Sequence, residues 1–239
     1  MADRAALITG GSSGIGLAIA RMLGEQGYGL TVSARRPDKL EAAVKELTDA
    51  DLDAHAVPAN MSEEDDLKAL LSAHDERYGR LDVLINNAGV GIGGAIADAE
   101  TKKLDMQLDV NLRAVYLVMR ESIPLLKKAG EEHGKALIVN TASIAGKYGQ
   151  GWLAAYSATK FGVVGLSQAT HKELSESGIQ VTAICPGFVA TPMTDWVDGV
   201  DKGDMIQPED IAEGVRFLLS TTKACIVPEI QFIRPGDAL

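Results

Sequence analysis

Tyr156 and Lys160 lie four residues apart in a segment whose apolar spacing predicts a helix, so both side chains project from one helix face. A tyrosine hydroxyl can exchange a proton, but it titrates near 10, and lowering its pKa toward neutrality requires about 4 kcal/mol. A lysine ammonium at about 4 Å, with an effective dielectric constant near 20, contributes roughly that amount. The pair therefore predicts a general acid or base whose pKa is lowered by the lysine.

A glycine-rich turn follows the first apolar run, where residues 9–16 read TGGSSGIG. Gly10, Gly14 and Gly16 permit a tight turn, close approach of the backbone to a pyrophosphate, and close packing of the next helix. The spacing differs from the common GxGxxG fingerprint, because Ile19 stands three residues after Gly16. A phosphate site is predicted, with a turn needed only for packing as the alternative. Its other predicted coenzyme contacts are Ser12, Ser13 and Ile15.

Two arginines follow the second apolar run, at the place where a dinucleotide-binding fold selects its coenzyme. A carboxylate there binds a ribose 2′-hydroxyl, whereas arginine suits a 2′-phosphate. Arg35 and Arg36 match a phosphate, and Ala34 stands where a repelling carboxylate would otherwise be. NADP(H) is therefore the predicted cofactor. A solvated arginine pair is the alternative, and Asp38, which could support NAD(H), follows Pro37 and is better explained as a helix cap.

Apolar runs of strand length alternate along the chain with segments whose apolar residues are three and four apart. Such alternation requires crossovers, which place helices on both faces of a mainly parallel sheet. The sequence predicts a doubly wound, Rossmann-like α/β fold of seven strands in a single domain over residues 1–239. The predicted strands are Ala5–Thr9, Gly29–Ala34, Asp53–Pro58, Val83–Asn86, Lys135–Asn140, Ile179–Cys185 and Pro228–Ile233.

Further motifs stand where these strands end: NNAG at residues 86–89, Asn111, Ser143, and PGxVxT at residues 186–191. With the glycine-rich turn and the YxxxK pair, in this order and spacing, they make nearly the whole chain similar to the short-chain dehydrogenase/reductase family. The resemblance implies that Tyr156 is the general acid or base and that Ser143 holds the substrate oxygen.

The same resemblance implies that Lys160 also binds the nicotinamide ribose and that Asn111 supports a water-linked proton path. The third strand is followed by Asn60 and Met61, where relatives usually have aspartate and an aliphatic residue near the adenine. Ser13 replaces a basic residue found in many NADP(H)-using relatives, which leaves the coenzyme preference to the arginines. The other coenzyme contacts implied are Asn87, Ala88, Gly89, Pro186, Gly187, Val189 and Thr191.

Residues 192–207 occupy the place where relatives vary a substrate-covering loop, and they predict a short lid over a modest apolar pocket. Four aspartates there would disfavour an anionic substrate, with a solvated acidic loop face as the alternative. The lid residues of interest are Met193, Asp195, Trp196, Asp198, Asp201 and Asp204, and the predicted pocket residues are Ile92, Ile144, Trp152, Phe188 and Met193.

The 33 acidic and 23 basic residues give a net charge of -10 without a basic stripe, which argues against nucleic acid and membrane partners. The first apolar run is too short for a signal peptide or a membrane span. Neither Cys185 nor Cys225 has a metal-ligand spacing, so we expect a cytoplasmic protein. No metal is assigned, because the histidines share no ligand spacing and are expected at the surface: His55, His74, His133 and His171.

The sequence thus predicts an oxidoreductase that transfers a hydride between NADP(H) and a small carbonyl or secondary alcohol. An NAD(H)-dependent dehydrogenase of the same family and a non-catalytic NADP(H)-binding sensor are the alternatives. The family resemblance also implies a homo-oligomer, a dimer or a tetramer, paired through helices within residues 101–128 and 153–177. The tail from Pro228 to Pro235 lacks the VDGG ending that is common in relatives.

Overall fold

The structure, a computed structural model, describes residues 2–195, 197 and 200–236. Within them the strands form one seven-stranded sheet in the order β3-β2-β1-β4-β5-β6-β7, and every neighbouring pair is parallel. This confirms the predicted fold class, and each strand agrees with its prediction to within one residue at either end. The strands are β1 Ala5–Thr9, β2 Gly29–Ala34, β3 Ala54–Pro58, β4 Val83–Asn86, β5 Ala136–Thr141, β6 Ile179–Pro186 and β7 Glu229–Phe232.

Helices cover both faces of the sheet, as the crossovers between parallel strands require. One apolar core lies between the sheet and helices α1, α2 and α7, and a second lies between the opposite face and α3, α5 and α6. The helices are α1 Gly14–Glu25, α2 Pro37–Asp49, α3 Glu64–Tyr78, α4 Thr101–Leu108, α5 Ala114–His133, α6 Ala154–Leu174 and α7 Pro208–Ser220. Between α4 and α5, residues Asp109–Arg113 form a π-helical turn that the apolar spacing did not predict.

The strand order reverses next to β1, because β2 pairs with one of its edges and β4 with the other. Thr9 pairs with Asn86, so the turns that leave β1 and β4 lie side by side at the carboxyl edge of the sheet. Ligands of doubly wound sheets bind at such a reversal. A ligand site is therefore expected at this edge.

His74 lies in the core, so the prediction that it is a surface histidine is wrong. Its ring is fully buried on α3, and Nε2 is 2.8 Å from the Arg80 carbonyl oxygen. Because a carbonyl only accepts, Nε2 carries the proton and Nδ1 accepts from the Thr31 hydroxyl at 2.7 Å. Two hydrogen bonds make an uncharged imidazole tolerable there, and burial lowers the pKa of His74 to about 4.

The helices and the potential metal-ligating side chains of the described residues bear on the expected partners. None of the helices there is both long and apolar enough to cross a membrane. In the same part of the chain, no three side chains of His, Cys, Asp or Glu come together in a group that could hold a metal ion.

Candidate active site

Two clefts open at the carboxyl edge of the sheet. The first, of about 340 Å³, runs from the turn after β1 to the loops after β4, β5 and β6. The second, of about 540 Å³, is bounded by the loop after β4, the start of α6 and the chain beyond β6. Ser143 and Tyr156 line both clefts, and so do Gly187, Met193 and Thr194.

The glycine-rich turn forms the floor of the first cleft. Gly10 and Gly14 have positive φ angles of 66° and 53°, which glycine adopts without the strain that a Cβ would bring. Ser13 precedes α1 without a side-chain cap hydrogen bond, so the first backbone N–H groups of α1 remain available to an anion. Ser12 and Ile15 also line the cleft, as predicted for a phosphate turn.

Gly16 was predicted as a coenzyme contact, but it lies behind the turn and does not line the cleft. A Cβ there would come within 2.4 Å of the Gly10 carbonyl oxygen and 2.6 Å of Nδ2 of Asn87. Both distances are too short for real atoms. Gly16 therefore allows α1 to pack closely under the turn.

One end of the first cleft carries the two arginines. Arg35 and Arg36 are exposed at its rim, and neither guanidinium makes a hydrogen bond or ion pair with another described residue. Asn60 and Met61 line the same end, where the Asn60 backbone N–H donates to Asp66 at 2.8 Å. A 2′-phosphate fits this donor set, because the cleft offers two guanidinium groups that pair with no other described residue.

The middle of the first cleft is formed by the loop after β4. Thr9 holds this loop, since its hydroxyl oxygen accepts from the backbone N–H groups of Asn87 and Ala88 at 3.1 Å each. The Asn87 side chain donates to the Gly10 carbonyl oxygen at 3.1 Å and so ties the two turns together. The cleft is also lined by the predicted Gly89, Pro186, Gly187, Val189 and Thr191, and by Val90 and Val110, which no motif indicated.

Ser143 begins a short 3₁₀ turn directly after β5, with its side chain at the junction of the clefts. Its hydroxyl oxygen accepts from the Ala145 backbone N–H at 3.1 Å, which fixes the side chain. Tyr156 stands in the first turn of α6 and is partly buried. Burial raises the pKa of Tyr156, and a hydrogen bond with the Ser143 side chain opposes that rise.

Lys160 follows one turn later on α6 and is 4% exposed. Its Nζ donates to the Thr141 carbonyl oxygen at 2.7 Å and lies 5.6 Å from the centroid of the Tyr156 ring. Burial lowers the pKa of Lys160 to about 8. The predicted lowering of the tyrosine pKa is wrong for this structure, because burial of the phenol has the largest effect and raises the pKa of Tyr156.

Asn111 lies behind the first cleft, in the π-helical turn, and is fully buried. Its Oδ1 accepts from the Val90 backbone N–H at 2.8 Å, and its Nδ2 donates to the Val90 carbonyl oxygen at 2.9 Å. The same Nδ2 is 3.2 Å from the Thr159 hydroxyl on α6. Asn111 thus connects the loop after β4 with the helix that carries Tyr156, and its predicted part in a proton path stays a prediction.

The second cleft is an apolar pocket, and all five predicted pocket residues line it. Its described lining contains no Asp, Glu, Lys, Arg or His side chain. Trp152 adopts a left-handed backbone conformation with φ of 68°, which lays its ring against Gly93. Residues that sequence reasoning missed are Tyr148, Gln150, Leu153 and Ile233, since none belongs to a motif.

The predicted lid begins with a 3₁₀ turn at Pro192–Thr194. A β-bridge joins Val189, which precedes the lid, to Ile206 near the end of the lid. Asp195 pairs with Lys202, and Asp201 accepts from a backbone N–H in its own turn. These described aspartates serve local structure and do not line the pocket. Trp196 and Asp198 lie outside the described residues.

Comparison with known proteins identifies the family. Residues 4–199 match the short chain dehydrogenase family. The chain is 35% identical to the 3-oxoacyl-(acyl-carrier-protein) reductase FabG of Staphylococcus aureus, over 98% of this chain and 97% of that protein. It therefore belongs to the short-chain dehydrogenase family and is an oxidoreductase.

Two solved structures resemble the whole fold. A variant of actinorhodin polyketide ketoreductase with NADPH is 36% identical, with a TM-score of 0.86 and coverage of 97% of both chains. The 3-ketoacyl-(acyl-carrier-protein) reductase of Brucella melitensis with NADH is 32% identical, with a TM-score of 0.88 and coverage of 98% of both chains. Relatives of this fold thus bind either coenzyme.

Proposed function

We propose that this chain transfers a hydride reversibly between NADP(H) and a ketone or its secondary alcohol, with Tyr156 as the proton donor and acceptor. The observation that carries the proposal is the overlap of the two clefts at Ser143 and Tyr156. A carbonyl group in the apolar pocket can meet both hydroxyl groups while facing the first cleft. The coenzyme, when bound there, supplies or accepts the hydride.

During reduction, the Ser143 hydroxyl donates a hydrogen bond to the carbonyl oxygen and holds it beside Tyr156. Tyr156 then gives its proton to that oxygen as negative charge develops there. Lys160, fixed by the Thr141 carbonyl, stabilises the resulting phenolate and binds the nicotinamide ribose. Asn111 keeps the loop after β4 and α6 in register, so that both clefts retain their shape.

NADP(H) is the proposed coenzyme because the guanidinium groups of Arg35 and Arg36, which pair with no other described residue, stand at the rim of the first cleft. A 2′-phosphate would accept several charge-assisted hydrogen bonds from them. An NAD(H)-dependent enzyme is the second candidate, because a solved relative holds NADH. Coenzyme affinities of variants at the two arginines distinguish the candidates.

The proposed substrate is an uncharged ketone with an apolar body. The lining of the second cleft offers aromatic and aliphatic surface and no charged side chain within the described residues, so it would not compensate a buried charge. The named activities of the relatives, reduction of 3-oxoacyl groups, fall within ketone chemistry.

The wider organisation is also part of the proposal. Residues 1–239 act as one catalytic domain, with residues 192–207 as a short lid over the pocket, in a cytoplasmic homo-oligomer. The lid assignment is supported by Met193, which lines both clefts and so adjoins coenzyme and substrate.

The direct test is consumption of NADPH by the purified chain, followed by its near-ultraviolet absorbance, with a panel of ketones, aldehydes and quinones. We expect turnover of at least one apolar ketone. Tight NADPH binding without turnover of any carbonyl would contradict the proposal and favour a coenzyme sensor.

A further inference from the structure

The loop after β4 forms one wall of the apolar pocket through Gly91, Ile92 and Gly93. A Cβ on Gly91 would lie 3.8 Å from Cε2 of Tyr156, so this wall adjoins the candidate catalytic tyrosine. The wall belongs to no helix or strand. Its position therefore depends on the hydrogen bonds that its backbone makes with other parts of the fold.

Two amide side chains hold this segment from behind. Asn111 exchanges two hydrogen bonds with the Val90 backbone, and Gln107 accepts from the Ile92 backbone N–H at 3.1 Å. The backbone N–H groups of Val90 and Ile92 thus both donate to side-chain amide oxygens that come from other elements of the fold. These two amides hold a segment that pairs with no strand.

Gln107 is 2% exposed, near the end of α4, and lines neither cleft. Burying an amide is costly unless its atoms are hydrogen-bonded, and an apolar side chain would fill this space at lower cost. Its Nε2 donates to the Lys103 carbonyl oxygen in its own helix at 3.4 Å, which leaves Oε1 for Ile92. The hydrogen bond from the Ile92 backbone N–H is therefore the contact by which the Gln107 amide holds another part of the fold.

Trp152 holds the same wall from the pocket side. Its ring lies so close to Gly93 that a Cβ there would come within 2.0 Å of Cζ3, and the Gly94 backbone N–H donates to the Trp152 carbonyl oxygen at 2.8 Å. A displacement of the wall would therefore move Trp152, which itself lines the pocket.

We propose that Gln107 is a positioning residue for substrate selection: by fixing the Ile92 amide, it sets the width of the pocket between Tyr156 and Trp152. The proposal rests on the proposed function, because that pocket would have to bind the substrate and limit its size. A large ketone contacts the wall, whereas a small one is held chiefly by Ser143 and Tyr156.

The test compares Gln107→Met, which keeps the volume but lacks a strong acceptor, with Gln107→Glu, which keeps an acceptor oxygen. For Gln107→Met we expect KM of the largest ketone turned over to rise about tenfold, because the wall must be ordered on binding. KM and kcat for the smallest ketone, and the Kd of the coenzyme, should stay within about twofold. Gln107→Glu should restore most of the selectivity.

Gln180→Met is the matched control. Gln180 is 9% exposed, and its amide donates to the Lys223 and Cys225 carbonyl oxygens at 3.1 and 3.2 Å, away from both clefts. Its substitution should lower stability without changing the ratio of the two KM values. Equal changes for large and small ketones in Gln107→Met, or the same selectivity change in Gln180→Met, would overturn the proposal.

Hydrogen exchange of the Ile92 amide separates this inference from the proposed function, since it requires no turnover. The wild-type amide should be protected like those of β4, and Gln107→Met should lose that protection. Exchange at the rate of an open loop in the wild-type chain would overturn the proposal even if Gln107→Met failed to fold. Protection without carbonyl turnover would leave the positioning contact standing and contradict only the catalytic assignment.

Discussion

Burial shifts the two ionisable side chains of the candidate site in opposite directions, raising the pKa of Tyr156 and lowering that of Lys160 to about 8. Each shift favours the neutral form. A neutral phenol is the form that donates a proton to a carbonyl oxygen, so the shift suits carbonyl reduction near neutral pH. Lys160 keeps most of its charge there and can stabilise the phenolate that proton transfer leaves behind.

The coenzyme preference is a residue-scale prediction. The double variant Arg35→Ala plus Arg36→Ala removes the guanidinium groups at the rim of the first cleft. We expect the Kd of NADPH to rise on the order of 100-fold and that of NADH to change less than about threefold, because only NADPH has a 2′-phosphate. Titration by fluorescence measures both constants. Equal weakening of the two coenzymes would show that the arginines do not bind the phosphate.

His74 carries a second residue-scale prediction, about stability. Its pKa is lowered to about 4 in the folded chain, from an ordinary value of 6.5. Between these values the unfolded chain binds a proton that the folded chain does not, so stability falls as pH falls from about 6.5 to 4. The loss at about pH 4.5 should be roughly 2 to 3 kcal/mol.

Urea unfolding at about pH 7 and pH 4.5 measures this contribution in the wild-type chain and in His74→Gln, whose amide does not titrate. All other titrating groups are the same in the wild-type chain and in His74→Gln, so their contributions to the pH dependence cancel in the comparison. We expect the pH-dependent loss to be smaller in the variant by about the amount assigned to His74. Identical losses would contradict a buried neutral imidazole.

At the scale of elements, the strands could be predicted because parallel strands covered on both faces are continuous apolar runs, as at Ala5–Thr9. The motif residues directly follow these runs, so they could be placed at the carboxyl edge of the predicted sheet. The π-helical turn at Asp109–Arg113 could not, because one extra residue within a helix leaves no separate apolar period. Tyr148 and Ile233 reach the pocket through tertiary packing that no local pattern reports.

The packing of α1 under the phosphate turn gives an element-scale prediction. Gly16→Ala would press a Cβ against the Gly10 carbonyl oxygen, so the turn or the helix must shift. We expect the free energy of unfolding to fall by about 1 to 3 kcal/mol, with weaker coenzyme binding. Gly149→Ala is the control, because a Cβ there meets nothing within 4 Å, its φ is not positive and it lines neither cleft, and it should be neutral or stabilise by up to about 1 kcal/mol. Equal effects of the two substitutions would contradict the packing role.

At the scale of the whole molecule, apolar side chains remain exposed on the helices predicted to pair subunits. Tyr116 on α5 and Phe161 on α6 are 53% and 45% exposed. We propose that these side chains lie in a subunit contact, where an added charge is costly. The double variant Tyr116→Glu plus Phe161→Glu should therefore reduce the mass by light scattering from a multiple of one chain toward a single chain.

Lys39→Glu on the exposed side of α2 controls for the added charge and should keep the mass of the wild-type assembly. A wild-type mass of one chain, or an unchanged mass in the double variant, would contradict pairing through this surface.

The central claim, that Tyr156 transfers the proton where the two clefts meet, is tested most directly by turnover and coenzyme affinity in Tyr156→Phe. Loss of a general acid lowers kcat by about 10²- to 10⁴-fold. We expect a loss of this size while the Kd of NADPH stays within about twofold, because the ring and Lys160 remain in place. Turnover equal to that of the wild-type chain, with NADPH bound as tightly, would contradict the claim.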